Sequence, residues 1–214
     1  MRQKLVWGRT DIRVPREFVH AVRYPDPEKV ADYLKADSSL AQAENLLALA
    51  CRVPEVEGHG GHIPEDSKQQ SDRIKVVTLF LTHGCDPNIR NRRKVTPLHA
   101  CCRFDLPLVA EILLQNKADP NAYDEVRETP LYRAVNLGYV ECVQVLLKFK
   151  VDLDFQNRKG STVLHRAVMR GKRDVVPILI DVGARLDIRD RQGKLPLEYA
   201  RGQVKSRHLD RLSP

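Results

Sequence analysis

The sequence predicts an all-α repeat solenoid of stacked helix–turn–helix units, and three observations predict it. The tetrapeptide Thr96-Pro97-Leu98-His99 returns as Thr129-Pro130-Leu131-Tyr132, Thr162-Val163-Leu164-His165 and Leu195-Pro196-Leu197-Glu198, each step being 33 residues. The same step carries the apolar run Leu79-Phe80-Leu81 onto Ile112-Leu113-Leu114, Val145-Leu146-Leu147 and Ile178-Leu179-Ile180. It also carries Gly84-Cys85-Asp86-Pro87-Asn88 onto Lys117-Ala118-Asp119-Pro120-Asn121. Unrelated segments sharing one period specify a stacked array, because a unit this small buries its apolar face only against its neighbours.

Each segment has a physical task. Thr followed by Pro starts a helix, with the hydroxyl as cap and Pro at the first helical position. Leu98, Cys101 and Cys102, with their equivalents one period on, form the apolar stripe of a short first helix. Gly138 and Gly171 close that helix, at the place where Asp105 makes the turn in the earlier unit. The apolar triplet lies on a second helix. Asn91, Asp124, Asn157 and Asp190 open a turn, and Gly160 and Gly193 follow three residues later, as a tight turn prefers.

The pattern resembles the ankyrin repeat, whose fingerprint combines T-P-L-H, a 33-residue length and a G-A-D-x-N ending. The resemblance is nearly complete from Val77 to Ala200 and weaker outside. It implies β-hairpin turns projecting to one side of the helix pairs, and a partner protein held along the concave side by the hairpin tips and first helices. It also marks Asn121, and after it Asn88, as candidate substrates of the asparaginyl hydroxylase that modifies ankyrin hairpins: Asn121 closes an A-D-P-N turn, with Leu113 eight residues before it.

The expected organisation has a basic arm over residues 1–17 and a degenerate capping helix pair over 18–44, with Phe18–Val22 and Val30–Leu34 split by Pro25 and Pro27. A repeat over 45–90 follows. Asn45–Ala50 reads as its first helix and Ser71–Leu81 as its second, with an inserted loop at about 53–70. Full repeats cover 91–123, 124–156 and 157–189, and a partial, capping repeat covers 190–214. Atypical ends cover the apolar sides that inner repeats would otherwise expose. Trp7 is expected to fold back with Leu5 and Val6 onto the first repeat, though a linear docking motif is the other reading.

Composition fits this frame. Of 214 residues 42% are hydrophobic and only 6% aromatic, suited to thin layers of Leu, Val and Ala. No window of eighteen apolar residues is present, so no transmembrane helix and no membrane partner are expected. The opening MRQKLVWGRT lacks the apolar stretch of a secretory signal, and the five cysteines fall in or beside predicted helices. The expected location is cytoplasmic, nuclear or both.

The net charge of +8 points to acidic partners. In the register of the resemblance, the concave strip takes Arg90, Arg92, Arg93, Val95 and Arg103 from one repeat. The next gives Tyr123, Glu125, Val126, Glu128 and Asn136, the third Gln156, Arg158, Lys159, Ser161 and Met169, and the last Arg189, Arg191, Gln192 and Lys194. Nine of these are basic and two acidic. Tyr123, Val126 and Met169 form an apolar centre within a charged rim, as interaction sites usually do. Arg133 and Arg166, in the same first helices, extend the strip. A merely solvated basic face is the plain alternative.

Enzymatic motifs are not found. There is no nucleophile elbow, P-loop or dinucleotide fingerprint, and Gly58-His59-Gly60-Gly61 neither follows a predicted strand nor opens a helix. His83 with Cys85, and His99 with Cys101 and Cys102, lack the spacing of a zinc site, and His59 and His62 read as loop residues. No catalytic residue, metal, cofactor or small-molecule substrate is therefore expected. The function expected is that of an adaptor or scaffold binding an acidic or phosphorylated protein segment. Nucleic-acid association through the same strip and the arm is the alternative, weakened by the scarcity of stacking aromatics. A ubiquitin-ligase substrate receptor ranks below both, since neither terminus carries a recognisable SOCS-like or F-box-like segment.

Overall fold

A computed structural model describes residues 14–42, 46–52 and 67–200. Trp7 and the arm up to residue 13, His59 and His62, Asn45 and the expected final helix beyond Ala200 lie outside these residues. The chain divides after Asp119 into two compact units.

The first unit has α1 (Arg16–Arg23), α2 (Pro27–Ala36), a 3-10 helix (Ser38–Gln42), α3 (Leu46–Ala50), α4 (Ser67–Thr82), α5 (Pro97–Phe104) and α6 (Pro107–Gln115). They form two layers. The shorter first helices stack as α1 on α3 on α5, and the second helices as α2 on α4 on α6. Phe18, Val30, Leu34, Leu47, Val76, Phe80, Leu98 and Leu113 are buried between the layers. The Phe18 ring sits 5.3 Å from Tyr33 and 6.1 Å from Phe80, centroid to centroid, and ties the capping pair to the repeat above it.

The second unit repeats the plan with α7 (Pro130–Leu137), α8 (Val140–Leu147), α9 (Val163–Met169), α10 (Val175–Asp181) and a 3-10 helix (Pro196–Tyr199). Here α7 packs on α9 and α9 on the 3-10 helix, with α8 and α10 behind them. Thr96, Thr129 and Thr162 cap their helices, each hydroxyl accepting the amide three residues on. His99 and His165 reciprocate, each ring Nδ1 accepting the cap amide at 3.2 Å, so both are structural groups.

Two boundaries differ from the sequence expectation. α1 starts at Arg16, inside the stretch read as arm, because buried Phe18, Ala21 and Val22 draw its first turn onto the core. α4 starts at Ser67, so residues 67–70, read as loop, are helical; no Pro or Gly interrupts the run from Ser67 to Thr82. The hairpins implied by the resemblance are too short to count as strands among the described residues. Each is closed by two backbone bonds across the turn: the opening amides of Asn91, Asp124, Asn157 and Asp190 donate to the carbonyls of Val95, Glu128, Ser161 and Lys194, and the opening carbonyls accept the amides of Lys94, Arg127, Gly160 and Gly193, all near 3 Å.

Candidate partner-binding surface

The residue that opens each hairpin organises it. Oδ1 of Asn91, Asp124, Asn157 and Asp190 accepts two amides in every case, from the residues two and four positions on, at 2.8–3.1 Å. Such Asx turns fix the loop from inside. The third residue on has positive φ in all four: Lys94 (58°), Arg127 (61°), Gly160 (73°) and Gly193 (75°). In the second unit the tips also bond to one another. The Arg158 amide donates to the Val126 carbonyl at 3.4 Å, and the Arg191 amide to the Lys159 carbonyl at 3.1 Å. Basic side chains are thus mounted on a fixed backbone.

Arg90, Arg92, Arg93 and Arg103 are exposed on the first unit. Arg103 and Arg52 each place a guanidinium against the Phe104 ring, at 5.7 and 5.6 Å. On the second unit Arg158, Lys159, Arg189, Arg191 and Lys194 are exposed, as are Tyr123, Val126 and Met169. Tyr123 also packs within its own unit. It stacks on Phe155 at 5.7 Å, and the Arg127 guanidinium covers both rings, at 5.3 and 5.0 Å. Val126 and Met169 are exposed with Tyr123, joined by Leu137 at the end of α7. That end lies beside the end of α9, where Arg170 Nε reaches Asn136 at 3.1 Å and Lys172 Nζ the Leu137 carbonyl at 2.8 Å.

Four other positions, Arg133, Arg166, Glu128 and Gln156, make contacts within their own unit. Arg133 does not extend the strip, since it pairs at 2.6 Å with Asp124, which is 2% exposed. Arg166 lies over the Tyr132 ring, 5.6 Å from its centroid. Glu128 is half-buried; burial pushes its carboxyl above the usual range and Asp124 adds to this, against the pull of Arg133, Arg166 and Lys159. Gln156 secures the hairpin, donating to the carbonyls of Gly160 and Arg189.

Asn88 and Asn121 act as staples. Each Nδ2 donates to the carbonyl 29 residues on, of Lys117 and Lys150, and each Oδ1 accepts the amide 31 residues on, of Asp119 and Asp152. Modification at either Cβ would act on a side chain that ties two repeats. All five cysteines are free and buried, and burial, with Asp86 and Cys51, pushes the Cys85 thiol up to about 12. Among the described residues no three His, Cys, Asp or Glu side chains gather as a metal site. None of the described helices is long and apolar enough to cross a membrane.

A family profile described as "Ankyrin repeats (3 copies)" matches residues 68–156 and 143–209, about two thirds of the chain. The chain belongs to the ankyrin-repeat family. Ankyrin repeats generally mediate protein–protein interaction, and proteins built from them are typically non-enzymatic. No curated protein matches the chain. The sequence alone did not single out the Arg127 stack, the Leu137 contribution or the setting of Arg166. All three depend on which neighbouring repeat a side chain meets.

Proposed function

We propose that this ankyrin protein is an adaptor that binds an acidic or phosphorylated segment of a partner protein on its basic hairpin tips. One observation carries the reading. Arg158, Lys159 and Arg191 are exposed on backbone-linked tips, and none has a carboxylate within ion-pair distance among the described residues. Cations that serve only solubility are commonly interleaved with acids; here three stand on adjacent tips without one. Val126, Leu137 and Met169 add apolar contact area on the same unit.

The test is reversal of Arg158, Lys159 and Arg191 to Glu, with binding followed by fluorescence anisotropy against Glu-rich and phosphoserine peptides. Surface substitutions cost the fold about 0.5 kcal/mol or less, so helical content stays unchanged. Binding falls below detection, because like charges across an interface cost several kcal/mol and about 1.4 kcal/mol is tenfold in affinity. Unchanged affinity in the triple variant would refute the reading. Tighter binding to single-stranded RNA or DNA, with a steep salt dependence, would favour nucleic-acid association instead.

A further inference from the structure

The second unit uses one polar device three times, and in one copy a member goes without its partner. The residue opening each hairpin spends Oδ1 on two amides and offers its other side-chain atom elsewhere. Asp124 Oδ2 accepts Nη2 of Arg133, nine residues on, at 2.6 Å. Asp190 Oδ2 accepts the hydroxyl of Tyr199, again nine residues on. The intervening copy has Asn157, whose amide nitrogen stands where a carboxylate oxygen would be. That nitrogen donates to the Tyr132 hydroxyl at 2.9 Å. Nine residues on from Asn157 is Arg166, which receives nothing from it.

That one difference leaves Arg166 without the acid that Arg133 has. Its side chain is part-buried; its Nε, like that of Arg133, is buried with no acceptor, and among the described residues its guanidinium, unlike that of Arg133, makes no hydrogen bond or ion pair. Glu128 feels its charge, together with those of Arg133 and Lys159, without bonding to it. What holds it is the Tyr132 face. Tyr stands here where two other repeats carry a capping His, and its ring gives the planar guanidinium a platform. A part-buried arginine without an acceptor is costly to keep, and it is poised to take one from outside.

We propose that Arg166 is a specificity-determining residue of the binding surface, receiving one carboxylate of the partner segment as a two-pronged pair beside Tyr132. The proposal rests on the acidic-segment reading and narrows it. The planar fork of Arg matches a planar carboxylate. The preceding repeat fills the equivalent position with a carboxylate of its own. Glu128, near enough to feel the Arg166 charge, disfavours a phosphate dianion, which carries nearly twice the charge. The hairpin cations Arg158 and Lys159 attract the segment; Arg166 distinguishes which anion it carries.

The test restores the missing acid in cis. Asn157→Asp keeps an Oδ1 for the amides of Lys159 and Ser161 and brings a carboxylate to Arg166, as Asp124 does for Arg133. Anisotropy is measured for a fluorescein-labelled Glu-rich peptide, its phosphoserine counterpart and its Gln counterpart, at fixed ionic strength. We expect N157D to weaken the Glu-rich peptide about tenfold, the value of one charged hydrogen-bonded contact, while the unfolding midpoint holds or rises. Arg166→Gln loses a similar factor, and Arg166→Lys, which keeps charge without the fork, recovers only part of it. If N157D and R166Q bind as the native chain does while the hairpin reversal abolishes binding, the Arg166 assignment falls and the hairpin reading stands. If the Glu-rich peptide does not bind the native chain, both fall. If the phosphoserine peptide binds more tightly and loses most in R166Q, the carboxylate assignment is overturned.

Discussion

Arg73 shows what a single residue does when its neighbours are backbone rather than side chain. It lies on α4 with no measurable exposure, and its Nη1 donates to the carbonyls of Ala50 and Arg52 at 2.6 and 2.8 Å. α3 is only five residues long; its Leu47 and Leu49 carbonyls take the amides of Cys51 and Arg52, and the guanidinium closes the Ala50 end with charge of the favourable sign. Arg73→Met retains apolar bulk but leaves two carbonyls without a donor. The expected loss is about 2–4 kcal/mol, read as a lower urea midpoint with the slope unchanged. A loss under about 0.5 kcal/mol would mean that water replaces the arginine. Sequence reasoning found α4 but not this duty, because an Arg in a polar helix segment looks like a surface residue until α3 is laid against it. Arg166 was hidden in the same way: its character depends on Asn157 being an amide where Asp124 and Asp190 are acids.

At the scale of the element, the hairpin turns were the most legible part of the surface. Asn91, Asp124, Asn157 and Asp190 could be named as turn openers from residue type and period, and every one makes the two amide contacts. Less legible was how closely consecutive tips approach. A Cβ on Gly160 would lie 2.8 Å from the Arg191 amide nitrogen, on a backbone with φ of 73°. Lys94 and Arg127 show that a side chain can occupy the left-handed position itself, at a cost of about 1–2 kcal/mol. Gly160 faces both that cost and the neighbouring backbone. Gly160→Ala is therefore expected to destabilise by about 2–3 kcal/mol and to break the bond from the Arg191 amide to the Lys159 carbonyl. Faster amide exchange at Arg191 reports the second effect. Gly193, whose Cβ would meet nothing within 4 Å, is the control, and Gly193→Ala should cost about 1 kcal/mol through φ alone.

For the whole chain the fold was readable because one period governs packing, caps and turns together, so each piece of pattern supports the others. The exception is the insertion before α4, where the period breaks. Pro107, which starts α6, falls one 33-residue step after Ile74, yet α4 starts at Ser67. The helix therefore runs about two turns, or roughly 10 Å, beyond the register. This sets how far the insertion can be shortened. Removing residues 54–70 would cut the first turn of α4 and strain the link to Arg52, whose carbonyl Arg73 holds. Removing only Glu57–Ile63 leaves Val53–Val56 and Pro64–Asp66 to bridge the gap. Seven residues span up to about 23 Å when extended, ample for a rise of roughly 10 Å. Since loop-closure entropy changes by only about 0.6 kcal/mol per doubling of length, the shorter deletion should move the unfolding midpoint by no more than about 2–4 °C. The longer deletion should lower it well beyond that. Calorimetry on the two variants separates these outcomes, and a large loss from removing Glu57–Ile63 alone would show that the insertion contributes to the folded unit.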